Sequence, residues 1–386
     1  MSRRIEALDV LRGVAILGTL GTNIWLFTDP GGPASAAAGL TGGGAVEAFL
    51  RFLSNGKFLA LLTLLFGIGL ELQYRSAVRR GVRWPGRYLW RAALLLAEGA
   101  LHYVLIFEYD VLMGYAVTSM LVAYLIGRGD RVVRGWMWAM GALHVAAVAL
   151  VTAALFGGEA VTGAPDAPGG LYSEGSYLDQ VRSRLELADV YRAESVLIIP
   201  MGTVMFLLGA RLLRAGALED SARGARLRGR LMIVGLGAGA PLNLLTSLAG
   251  PGWFMVDRYL LPPLVALGLL GLVTTLVLRL RGEPGRMRRG LTAVGRTALS
   301  CYVFQNLVAS VLCYGWGLGL AARLDWLRPW WVPFAWAGIC AAFMASAIRW
   351  LRRHERGPLE AAWQWAYAAP WRPARRVDGG VPGDVK

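Results

Sequence analysis

The chain has 386 residues, of which 56% are hydrophobic and only 17% charged, and its mean hydropathy is positive at +0.48. A water-soluble protein of this size needs more polar surface than that composition supplies. A formal charge of +15 would suit nucleic acid only if the arginines formed a solvated face; they fall instead in short loops between apolar runs, so topology explains them and nucleic acid is excluded as a partner.

In chain order, apolar segments lie at about 13–29, 57–73, 88–106, 111–127, 136–156, 196–214, 231–249, 259–279, 297–320 and 331–350. Each is near the roughly 20 residues that a helix needs to cross about 30 Å of hydrocarbon. The expected fold is therefore an all-α, polytopic integral membrane helical bundle with about ten transmembrane helices. Residues 1–369 form one transmembrane domain, and 370–386 form a disordered, Arg/Pro/Gly-rich cytoplasmic tail. The polar start, Met1–Arg12, runs directly into a long apolar segment without a cleavage pattern, so the first helix is expected to be retained.

The loops set the orientation. With the N-terminus inside, all but eight of the 40 basic residues fall in alternate segments; the eight are Arg51, Lys57, Arg182, Arg184, Arg192, Arg258, Arg323 and Arg328. That bias predicts a multi-pass protein of the bacterial cytoplasmic membrane with both termini cytoplasmic. Residues 31–44 read as a flexible outer linker, and Val46–Asn55 as a short interfacial helix. The long outer loop, 157–195, begins Gly/Pro-rich and ends in YLDQVRSRLELADVYRAE, whose apolar spacing predicts an interfacial helix. Cys301, Cys313 and Cys340 lie inside spans without CxxC spacing and read as apolar fillers. A single convincing buried histidine makes metal and haem sites poor fits, so no metal or bound cofactor is expected.

Ionisable groups inside hydrocarbon are costly unless paired or set against a cavity. On the third span, Arg87, Arg91, Glu98 and His102 stand at offsets 0, 4, 11 and 15, which confines them to an arc of about 60°. Glu98 and His102 form an i, i+4 pair, so the carboxylate can hold one ring nitrogen and raise the basicity of the other. The first span repeats the stripe with Asp9, Arg12, Thr19 and Asn23, and the ninth places Gln305 and Asn306 above Arg296. Asn23, His102, Gln305 and Asn306 are thus expected at one depth, with Arg12, Arg87, Arg91 and Arg296 below them for an anionic ligand. The competing readings are a helix-packing hydrogen bond for the pair and topology anchors for the arginines. His144 reads as a packing histidine, and Glu108 and Asp110 as hydrated caps of a tight outer turn.

The segments RIEALDVLRGVAILGTLGTNIW at 4–25, GKFLALLTLLFGIGL at 56–70, RYLWRAALLLAEGALHYVLIFEYDVLMGYAV at 87–117, GRTALSCYVFQN at 295–306 and ERGPLEAAW at 355–363 together resemble the YeiB-like bacterial membrane proteins, domain-of-unknown-function family 418. The LDVLRG opening also resembles a wider group of membrane acyltransferases, including envelope O-acetyltransferases and the heparan-α-glucosaminide N-acetyltransferase type. That resemblance implies transfer of an acyl group from cytoplasmic acyl-CoA, as co-substrate, to a hydroxyl or amine acceptor. The O-acetyltransferase pattern has a catalytic histidine where this chain has Asn23, and residues 26–57 hold no histidine to replace it. Asparagine cannot act as a base near neutral pH, so the base falls to His102, with Glu98 to orient it and Asn23 or Asn306 to donate to the oxyanion. The alternative is a transporter or lipid-handling protein whose polar cavity binds without reaction. The expected partners are membrane lipids, acyl-CoA and its acceptor, with a homodimer as the candidate assembly.

Overall fold

The computed structural model describes residues 3–33, 44–157, 170–280 and 282–371. Most of the expected outer linker, the start of the long loop and the C-terminal tail lie outside the described residues. The fold is all-α, and no strand occurs among the described residues. The principal helices are α1 (Arg3–Phe27), α2 (Gly44–Phe52), α3 (Lys57–Arg79), α4 (Arg87–Leu105), α5 (Leu112–Leu125), α6 (Asp130–Phe156) and α7 (Tyr177–Glu186). They continue with α8 (Ser195–Arg214), α9 (Ala222–Leu248), α10 (Pro262–Arg279), α11 (Arg286–Arg296), α12 (Ala298–Cys313), α13 (Trp331–Leu351) and α14 (Pro358–Ala368).

Each of the ten expected spans has a helix. Seven described stretches are long and apolar enough to cross a bilayer, and they carry α1, α3, α6, α8, α9, α10 and α13. The other three fall short for visible reasons. Helix α4 carries the Arg/Glu/His stripe, while α5 and α12 have only 14 and 16 residues. The outward faces agree with an apolar solvent: on α6, Trp138 and Leu150 are 79% and 73% exposed, an arrangement that water would penalise and lipid would not.

Helix α1 is the centre of the bundle, packed by α3, α10, α11, α12 and α13. It approaches α11 almost backbone to backbone. A Cβ on Gly295 would lie 1.8 Å from the Asp9 carbonyl oxygen, and one on Gly13 would lie 2.1 Å from that of Leu291. Two glycines thus let the arginine-bearing α11 lie against α1 near the start of both LDVLRG and GRTALS.

The ninth span is shorter than expected. Instead of running from 297 to 320, α12 stops at Cys313, and Tyr314 is extended. The cause is the run Gly315, Gly317 and Gly319: Gly319 adopts φ +63°, and Leu318 N–H donates back to Val311 O at 2.8 Å. The chain folds onto its own helix where a Cβ on Gly317 would meet that same carbonyl oxygen at 1.9 Å. The expected helix in the long loop is present as α7, capped by Ser176 and Asp179. It docks on the bundle rather than floating at its surface, because Arg184 is only 1% exposed.

Candidate functional site

Three helices and one turn meet at a buried polar cluster. Helix α1 brings Asn23, α4 brings His102, α12 brings Tyr302 and Asn306, and the turn between α4 and α5 brings Asp110. Exposures are 8% for Asn23, 3% for His102, 2% for Asp110 and 0% for Asn306. Asn23 Nδ2 donates to Asn306 Oδ1 at 3.2 Å, and Asn306 Nδ2 faces His102 Nε2 at 3.4 Å. On the other side of the ring, His102 Nδ1 lies 3.0 Å from Asp110 Oδ1. That N–H does not point straight along the line to the oxygen, so the contact is a close electrostatic pair that a modest ring rotation would align. Tyr302 Oη donates to the same oxygen at 2.8 Å, and Leu112 N–H donates to Oδ2 at 2.9 Å.

The directions of these bonds agree. With its proton on Nδ1 beside Asp110, the neutral imidazole presents a lone pair at Nε2 toward the Asn306 amide. Tyr302 also packs edge-on to the ring, with centroids 5.2 Å apart. In that tautomer the basic nitrogen faces the Asn306 carboxamide, whose oxygen in turn accepts from Asn23. This is the arrangement that a positioned general base requires.

The carboxylate at Nδ1 belongs to Asp110 and not to Glu98. The i, i+4 rule places Glu98 one turn below His102, and its two oxygens are buried without a hydrogen-bond partner. Asp110 reaches the ring because α4 ends at Leu105 and the next residues turn inward; both Ile106 N–H and Phe107 N–H donate to His102 O, at 2.8 and 3.0 Å. Glu108 and Asp110 are therefore not hydrated caps, since they are 0% and 2% exposed.

The long loop holds this turn. Arg184 Nε lies 3.2 Å from Glu108 Oε2, and Tyr172 Oη donates to Glu108 Oε1. Burial and the neighbouring Glu108 push the Tyr172 phenol well above its ordinary pKa, so it remains a donor. Burial works against the Arg184 charge, yet Glu108 raises its pKa on balance. Arg192 spreads its guanidinium over the backbone of the same turn, donating to Asp110 O at 2.8 Å and also to Glu108 O. It stacks on Tyr103 at 4.3 Å. Two arginines from α7 and the short helix after it thus set where Asp110 points.

The remaining expected residues divide between two places. Gln305 is 0% exposed but turns away from the cluster, donating to Ile16 O at 3.1 Å. The arginines gather at the other end of the bundle: Arg12 pairs with Asp9 at 3.4 Å, Arg296 also acts electrostatically on Asp9, and Arg91 lies within reach of Arg12. Arg87 is exposed at the first turn of α4. Helix α14 closes over this end. Its Trp363 ring lies 4.5 Å from the Arg91 guanidinium, and Glu360 accepts from Leu299 N–H at 2.8 Å, Ser300 N–H at 3.3 Å and Ser300 Oγ. Glu360 thereby caps the exposed N–H groups of α12 and explains the ERGPLEAAW motif. His144 Nε2 donates to Tyr259 O at 3.0 Å, outside both places.

Sequence comparison adds relatives across nearly the whole chain. Residues 212–369 match the family described as Protein of unknown function (DUF418). The chain is 26% identical over 398 residues to uncharacterized protein YxaH of Bacillus subtilis, covering 96% of each. It is 29% identical over 393 residues to uncharacterized protein YeiB of Escherichia coli, covering 95% of this chain and 96% of that one. No solved structure matches it. The family match contains Arg296, Asn306 and Glu360, whereas Asn23, His102 and Asp110 lie in the part that only the two relatives cover.

Proposed function

As this chain is a YeiB-like member of the DUF418 family, we propose that it is a membrane-embedded acyltransferase working from acyl-CoA, with His102 as its base. The observation that carries this reading is the Asp110–His102–Asn306–Asn23 series, in which a carboxylate stands at one ring nitrogen of a buried histidine and a carboxamide at the other. In the reaction, the acceptor hydroxyl or amine gives its proton to His102 Nε2 as its oxygen or nitrogen attacks the thioester carbonyl. Asn23 and Asn306 donate to the oxyanion. The C–S bond then breaks, and the leaving thiolate takes the proton back from the imidazolium.

The donor's phosphates would sit on Arg12, Arg87, Arg91 and Arg296. By helical rise, His102 stands roughly 22 Å above Arg87, a separation suited to a donor that carries its phosphates and its acyl group at opposite ends of a long arm. The excess of arginine in alternate loops supports a cytoplasmic position for that end and for both termini in a bacterial cell. Reporter fusions after Arg134 and near Gly169 should therefore read opposite sides of the membrane, the first cytoplasmic. The same side for both would overturn the orientation.

A second reading has its own support. His102 is only 3% exposed and Asn306 already occupies Nε2, as expected of a packing network in a transporter or lipid-handling protein. Purified protein in nanodiscs, given acyl-CoA and a hydroxyl- or amine-bearing acceptor, should release free thiol in step with acylated product. Solute accumulation in sealed vesicles with no thiol release would establish the second reading instead.

A further inference from the structure

At the end of the bundle remote from the arginine-rich loops, a cleft of about 440 Å³ opens between α2, the turn before α3, and the segment linking α9 to α10. It lies on a different face of α1 from the cluster: Thr22 lines the cleft, whereas Asn23, about 100° round the helix, reaches Asn306. Its volume is that of a small-molecule site. The charges in its lining balance. Arg51 and Arg258 face Glu47 and Asp257, and the groups behind them balance too, with Lys57 and Arg328 against Glu194 and Asp29.

These charges are not equally spent. Asp257 accepts from Asn243 at 2.6 Å, from Asn55 at 2.7 Å and from Ser247. Glu47 pairs with Arg51 and Arg328 through its Oε1. Arg51 leaves its buried Nε without a partner, and Arg258 donates to Tyr259 Oη at 3.1 Å and Asn55 Oδ1 at 3.2 Å while its Nη2 contact to Glu194 is long at 3.6 Å. The cleft therefore offers guanidinium donors and a carboxylate acceptor side by side.

A ligand of net charge would leave that charge uncompensated in a low-dielectric place, whereas a zwitterion would not. The surroundings say how such a ligand arrives. Helix α2, which forms one wall, turns Val46 and Phe49 outward at 47% and 46% exposure, Leu53 just after it is 51% exposed, and Leu248 on the facing wall is 50% exposed. An apolar rim around a polar floor admits a head group while its chains stay in hydrocarbon.

We propose that this cleft binds the head of a zwitterionic phospholipid of the phosphoethanolamine class, its phosphate on Arg51 and Arg258 and its ammonium on Glu47. The proposal is independent of acyl transfer. The test is native mass spectrometry of the full-length protein titrated with phosphatidylethanolamine, phosphatidylglycerol and diacylglycerol. Phosphatidylethanolamine should bind about tenfold more tightly than either of the others. Arg51→Gln should remove that preference, and Ala45→Trp, which fills the cleft and leaves every ion pair intact, should weaken binding by a similar factor. Equal binding of the three lipids, a preference for the anionic lipid, or unchanged binding in Ala45→Trp would overturn the proposal.

Discussion

Asp110→Asn should lower acyl transfer by roughly 10²- to 10⁴-fold, the range expected when a general base loses its tautomer and orientation. The substitution keeps the shape of the side chain and both acceptor positions of one oxygen. It can present an amide N–H where His102 Nδ1 now meets Oδ1 at 3.0 Å, which would drive the ring proton to Nε2 and leave that nitrogen unable to accept. Glu98→Gln should stay within about threefold of the wild type, since its oxygens have no partner in the cluster. Turnover of the two purified variants checks this. A larger loss from Glu98→Gln than from Asp110→Asn would return the orienting role to Glu98.

Arg184→Met should have the largest effect on stability. It leaves the Glu108 carboxylate, which is 0% exposed, without its charged partner, and breaking a buried ion pair in this way costs about 3–5 kcal/mol. Because Glu108 and Asp110 share one turn, the damage should extend to activity. The double variant Arg184→Met, Glu108→Leu should regain most of the loss, as it removes both charges together. Thermal unfolding in one detergent measures both, and a double variant no more stable than the single one would contradict the ion-pair account.

The parts legible in the sequence are those fixed by local periodicity. Hydrocarbon thickness sets the length of each apolar run, so the apolar helices could be marked, and seven of the described stretches are long and apolar enough to cross a bilayer. The helical rise also placed Asn23, His102 and Asn306 at one level, where the structure brings them into contact. What stayed hidden depends on groups far apart in the chain. Asp110 read as a solvated cap because nothing nearby in sequence announces that Arg192, 82 residues later, will bind its carbonyl. Glu360 gave no sign of capping α12, about 60 residues before it. The end of α12 was misplaced for a different reason: the span marked at 297–320 ran through Gly315, Gly317 and Gly319, which let the chain reverse onto Val311. The signal that could have located Asp110 was the density of charge in FEYD, which begins five residues after His102.

The central claim is that the cluster around His102 performs chemistry rather than packing, and His102→Gln tests it most directly. Glutamine retains polar atoms to meet Asp110 and Asn306 but cannot accept a proton near neutral pH. Acyl transfer and melting temperature should be measured on the same purified, nanodisc-embedded preparation of wild type and variant. The account predicts that transfer falls at least about a hundredfold while the melting temperature stays close to that of the wild type. Transfer at the wild-type rate, or a loss no greater than the fall in folded protein, would contradict it.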